Sequence, residues 1–179
     1  MPQDAFHIRR LATELNTFLV HGKINRISQV NKDELTFIIY TGKSTVKLIL
    51  SANASNARVC LSATEKEPAP VAPNFCMLLR KHLQNAEILA VRQYAFERII
   101  EIDLHCTTDF SQSKRTLHCE LMGKYSNVVL TENGVILGAL KTTALEDSSR
   151  RIFACCFANT CKTQKFYPCA SMILNVSWR

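Results

Sequence analysis

The sequence predicts an α+β domain in which antiparallel β-sheets pack face to face, as a sandwich or a barrel-like arrangement, with two main helices at the ends. Three observations carry this. Short segments alternate apolar and polar residues with a period of two, as in Ile100, Ile102 and Leu104 against Glu101 and Asp103. Those segments follow one another through short polar or glycine-bearing turns, which makes meanders. Two stretches switch to a helical period, one at the start of the chain and one near its middle.

The elements follow in order. Residues 6–20 place Phe6, Leu11, Leu15, Phe18 and Leu19 on one helical face; Asp4 is positioned to cap that helix and Gly22 to stop it. Strands are expected at 23–30, 34–40 and 44–50, turned by NKDE and TGK, with a short strand at 58–62. Pro68, Pro70 and Pro73 then break the chain, and Pro73 suits the first turn of a second helix over 74–85. A second antiparallel set is expected at 87–95, 98–106, 114–122, 126–132 and 135–140, with ENG as a hairpin turn. The order is helix, meander, helix, meander, without a sequence repeat.

Composition narrows the class. An apolar fraction of 47% and a charged fraction of 21% over 179 residues are those of a globular chain with a core. No apolar run approaches the roughly 18 residues of a membrane span, and the first ten residues lack an apolar signal segment or transit composition. The expectation is a cytoplasmic protein with no membrane partner. The net charge of +7, with the excess in the first and last thirds, suits a polyanion, most often nucleic acid. Eight cysteines occur without a CxxC pair, which reads as free thiols in a reducing compartment; four of them crowd residues 155–179. No phosphate loop, nucleophile elbow or metal-spaced His/Cys set is present, so neither a cofactor nor an enzymatic activity is expected.

Several motifs could carry function. Arg80 and Lys81 sit on the otherwise apolar FCMLLRKHL, as either a solvated helix edge or phosphate contacts. ELMGKYSNVVL joins two strands through Gly123, Lys124, Ser126 and Asn127, as either a tight connection or polar contacts to RNA. Glu97-Arg98 precedes a strand, as either an ion pair at the strand mouth or a site. Pro2, once the initiator methionine is removed, is a secondary amine able to attack an abasic sugar, although Gln3 beside it is not acidic.

MPQDAFHIRRLATELN, GKINRISQVNKDEL, LILSANASNARVCL, PNFCMLLRKHL, YAFERII and ELMGKYSNVVL occur in this order and together resemble the N-terminal domain of the NFACT proteins. The match runs over residues 1–154. The resemblance implies a fold like the N-terminal domain of formamidopyrimidine-DNA glycosylases, without glycosylase chemistry. It implies a domain that binds tRNA and the large ribosomal subunit, with its rRNA, in ribosome-associated quality control, supporting alanine tailing of stalled nascent chains. The family's tRNA-contacting Asp-Arg pair falls on Glu97-Arg98. Asp4, Arg80, Lys81, Lys124, Ser126 and Asn127 are the further candidate tRNA contacts. Two other functions stay open: a DNA-binding glycosylase or abasic-lyase-like domain, and, from a name used within the family, a fibronectin-binding protein. The chain departs from the family in Ala5, where glycine is usual, and in residues 155–179, which read as an atypical tail, frame-shifted or disordered, on a truncated protein.

Overall fold

The first helix forms where a capping residue meets an apolar stripe. In the computed structural model, which describes residues 4–63, 72–108 and 111–141, α1 spans Ala5–Leu19 and the carboxylate of Asp4 accepts the backbone N–H of His7 at 2.7 Å. The stripe differs from the expected one. Ile8, Ala12, Leu15 and Leu19 are buried, whereas Phe6 and Phe18 are 74% and 54% exposed. The i, i+4, i+7, i+11 spacing of the buried set explains the difference, because Phe6 lies well round the helix from Leu15. The left-handed residue that ends the helix is His21, at φ 63°, rather than Gly22. Gly22 is needed for room instead: a Cβ there would stand 2.8 Å from Ile39 Cγ2 and 2.9 Å from the Leu19 carbonyl.

Nine strands follow among the described residues: β1 Lys23–Asn31, β2 Glu34–Tyr40, β3 Thr45–Ser51, β4 Arg58–Ser62, β5 Glu87–Gln93, β6 Ile99–Thr108, β7 Ser111–Glu120, β8 Asn127–Glu132 and β9 Val135–Ala139. The second helix, α2, spans Asn74–Leu83 between β4 and β5. Pro73 is its N-cap and not a first-turn residue, and the Pro73 carbonyl accepts Met77 N–H at 3.0 Å. The strands form one antiparallel sheet in the order β4-β3-β2-β1-β5-β6-β7-β8-β9. The expected two sheets are therefore one, because β1 pairs with β5 through Lys23 and Glu87 and four backbone bonds join 21–24 to 85–88.

Alternation drives the burial. Leu35, Phe37 and Ile39 on β2, and Ile100, Ile102 and Leu104 on β6, each point to one side into a single core. Ile24 and Ile27 are three apart on β1, yet both are buried, because a bulge between Ile24 and Arg26 shifts the register by one. Phe75, Cys76, Leu79 and Leu83 carry α2 into that core against β1, β6 and β9, so the sheet curls far enough for distant strands to reach one helix. Lys141 shows the same curl: its ammonium donates to the Ala52 carbonyl at 2.5 Å and lies 3.8 Å from Asp33. Cys76, Cys106 and Cys119 are buried free thiols, and burial raises the pKa of each; Cys60 is half-buried. The residues 155–179, with Pro2 and Gln3, lie outside the described residues.

Candidate nucleic-acid interface

The turn between β5 and β6 places Glu97 and Arg98. Tyr94 N–H donates to the Ile99 carbonyl and Glu97 N–H to the Tyr94 carbonyl, both at 3.0 Å, while Ala95 takes φ 46°. The Gln93 amide then joins this turn to the start of α1, donating to the Ala5 carbonyl at 2.9 Å and the Glu97 carbonyl at 2.8 Å. Leu121 N–H donates to the Arg98 carbonyl at 2.9 Å. Asp4, Glu97, Arg98 and the 121–126 connection thus meet at one end of the sheet. Glu97 is exposed, Arg98 is half-buried, and no ion pair links the two among the described residues.

The 121–126 connection is shaped by its own polar side chains. Gly123 opens a 3₁₀ turn at φ 60°, a conformation that costs a side chain about 1–2 kcal/mol. Ser126 is fully buried, and its hydroxyl accepts Met122 N–H at 2.8 Å. Asn127 accepts Lys141 N–H and donates to the Lys141 carbonyl, each at 2.9 Å. Both residues are engaged within the fold. Lys124 is exposed, 4.8 Å above the Tyr125 ring.

Arg80 and Lys81 lie elsewhere. Arg80 Nε donates to the Ile27 carbonyl at 2.8 Å, so α2 is fastened to the β1 bulge region. Lys81 is exposed beside His82, whose carbonyl accepts Arg115 Nη1 at 2.6 Å. Arg115 pairs with Glu132 in the register in which Glu120 faces Asn127, five residues or roughly 17 Å further along. The C-terminus of α2 is therefore not brought to the Glu97-Arg98 end. Burial, followed by the charges of Arg115 and Lys81, lowers the pKa of His82.

The cations divide into two groups. Arg58 faces Glu34, Arg80 holds a carbonyl, Arg92 pairs with Glu101 and Asp103, and Arg115 pairs with Glu132. Arg9, Arg10, Arg26 and Arg98 have no acidic side-chain partner among the described residues. Arg9, Arg10 and Arg98 belong to α1 or the turn beside it, and Arg26 lies apart on β1. Sequence reasoning missed Gln93, whose two carbonyl bonds join segments 88 and 4 residues away and leave no local signal. It also missed the outer-face network of Arg92, Glu101, His118 and Thr131. There, burial works to raise the Glu101 carboxyl, but the hydrogen bond and charge of His118, then Arg92, outweigh it and hold the pKa below the ordinary value. This network is readable only once Glu101 and His118 are known to be register partners.

Comparisons with known proteins agree with this architecture. The chain is 33% identical over 144 residues to the Rqc2 homolog RqcH of Bacillus subtilis, covering 79% of this chain and 25% of that one. It is 32% identical over 154 residues to the Rqc2 homolog RqcH of Streptococcus pneumoniae, covering 84% and 28%. It therefore spans about a quarter of the length of these curated relatives. The crystal structure of the N-terminal domain of fibronectin-binding protein PavA from Streptococcus pneumoniae superposes with a TM-score of 0.78 at 32% identity, covering 83% of this chain and 57% of that one. The N-terminal part of the fibronectin/fibrinogen-binding protein from Streptococcus suis gives the same values. The family model for the NFACT N-terminal and middle domains matches residues 4–155, and on that extent the chain belongs to the NFACT family.

Proposed function

We propose that this chain is the tRNA-facing domain of a ribosome-associated quality control factor. It binds tRNA and the large ribosomal subunit in the cytoplasm, catalyses no reaction itself, and supports alanine tailing of stalled nascent chains in a longer protein. The relatives named RqcH supply the quality-control context. The observation that carries the RNA reading is Arg98: a half-buried guanidinium with no acidic partner, on a turn held from both sides by Gln93 and Leu121. A guanidinium left unpaired on a backbone held in this way is suited to a bidentate phosphate or base edge. Within this reading Glu97 and Lys124 are exposed contacts, Asp4 sets the start of α1, and Ser126 and Asn127 shape the neighbouring connection. Arg80 and Lys81 belong to a separate surface, where the exposed Lys81 is free to meet rRNA.

The test is filter binding of tRNA over rising salt. A log-linear loss of affinity with salt is expected from phosphate contacts; absence of binding at low salt refutes the reading. The likeness to formamidopyrimidine-DNA glycosylases belongs to the same reading as a proposed fold ancestry. The lyase alternative predicts a borohydride-trapped adduct with abasic DNA, and the domain proposed here gives none.

A further inference from the structure

Phe6 and Phe96 are at odds with the rest of the fold. The buried residues of α1 leave Phe6 outside the core, and Phe96 sits on the β5–β6 turn; they are 74% and 46% exposed. They nevertheless meet, with ring centroids 4.8 Å apart and planes at 82°. In an edge-to-face pair the partner ring covers only one face of the ring that receives the edge. Beside the pair, a groove of about 470 Å³ runs between α1 and β5, lined among others by Arg9, Thr13, Arg92, Gln93 and Ala95. Arg92 is committed to Glu101 and Asp103, so Arg9 is the cation there without an acidic partner among the described residues.

We propose that Phe6 and Phe96 form a stacking platform for one unpaired base of RNA, with the flanking phosphate lying over the groove against Arg9. This rests on the RNA-binding reading above and specifies which part of the RNA is engaged. Two arguments select a base over a protein partner. Charged residues flank the two rings along the chain, Asp4, Arg9 and Arg10 near Phe6 and Glu97 and Arg98 after Phe96, whereas the centre of a protein interface is depleted of charge and far broader than two rings. A flat aromatic face beside an unpaired cation also matches the combination that single-stranded RNA requires: a π-surface for the base and a positive group for the backbone. Gln93 keeps the platform assembled, since it binds the carbonyls of Ala5 and Glu97, each the chain neighbour of one ring.

The experiment compares a hairpin RNA with an unpaired loop against a fully paired RNA duplex of equal length, using the 179-residue chain, Phe96→Ala, Phe96→Leu, Phe96→Trp and Arg98→Ala. The hairpin is expected to bind more tightly. Phe96→Ala and Phe96→Leu should weaken hairpin binding by roughly 5- to 100-fold, the range for losing one stacked base, without changing the salt slope. Phe96→Trp should retain parental affinity, and a 2-aminopurine in the loop should be quenched by the parent and by Phe96→Trp only. Phe96→Leu keeps apolar packing, so its loss of affinity with an unchanged melting temperature isolates stacking from folding. Equal affinity for hairpin and duplex, or parental hairpin affinity in both Phe96→Ala and Phe96→Leu, overturns the platform while leaving the salt-dependent RNA reading intact. No binding of any RNA by the parent overturns both.

Discussion

Leu121 donates its backbone N–H to the carbonyl of Arg98 at 2.9 Å, one step beyond the last β6–β7 register pair, Ile99 with Glu120. The bond uses the backbone of Arg98 and leaves its side chain uncommitted. Removing that side chain is therefore expected to leave the fold intact: Arg98→Ala should change stability by within about 1 kcal/mol. It should weaken tRNA binding and reduce the slope of log affinity against log salt by roughly one unit. Melting temperature and salt-series filter binding check this together; a collapsed melting temperature would make Arg98 structural instead. Glu97→Asp should bind like the parent, since the carboxylate is kept on an exposed turn.

Gln93→Leu separates positioning from contact. Gln93 supplies both bonds that hold α1 to the 94–98 turn. Losing them should cost about 1–2 kcal/mol, the sum of two ordinary net hydrogen bonds to exposed or half-buried carbonyls. RNA affinity should fall although Gln93 itself carries no charge, and the salt slope should stay parental. Urea melts and the same salt series measure the two effects.

Ser126→Ala should be the most destabilising of the small changes in the 121–126 connection. The hydroxyl is fully buried and is the acceptor for Met122 N–H. Removing it leaves a buried donor unsatisfied, at a cost of about 1–3 kcal/mol. Lys124→Ala, two residues away but exposed, should leave the melting temperature unchanged; thermal unfolding of both variants is the measurement.

Acid should destabilise the domain in two stages. The His82 pKa is lowered in the folded state, so the unfolded chain takes up that proton first, and stability declines as pH falls below the ordinary histidine value of about 6.5. The Glu101 pKa is also lowered, so its contribution is present above the ordinary glutamate value of about 4.3 and is lost as pH falls through its lower folded value. Glu87, lowered by its hydrogen bond with His21, also contributes to this second stage. Glu101→Gln should reduce the second stage and cost about 1–3 kcal/mol at neutral pH, because His118 and Arg92 lose their shared carboxylate. Urea midpoints from pH 7 to pH 3 for parent and variant show whether the lower limb becomes shallower.

Much of this architecture was legible because period-two segments and short turns are local facts. Every strand was located, and ENG forms its hairpin with Asn133 at φ 51° and Gly134 at φ 79°. What failed was long-range or a matter of phase. The union of two meanders into one sheet depends on pairing Lys23 with Glu87, which no local pattern encodes. The face of α1 was misjudged because Phe6 is apolar, and hydrophobicity alone does not distinguish a core residue from one left outside. At the site, the adjacency of Glu97 and Arg98 fits either an ion pair or a binding site; no ion pair links them among the described residues, and hydrogen bonds engage the backbone of both. Arg80 illustrates the reverse case, a cation whose carbonyl partner on Ile27 lies 53 positions back in the chain.

The join between the two meanders also has a kinetic meaning. Among the described residues, apart from β1 with β5, every strand pairs only with its neighbour in sequence, so seven of the eight ladders close over short loops. The eighth spans α2 and some sixty positions, and it rests on the amides of His21, Ile24, Asn85 and Ile88. Chain-closure entropy places that step last in folding. Those four amides are thus the reporters by which hydrogen–deuterium exchange would register the docking of one half of the molecule on the other as an event distinct from global unfolding.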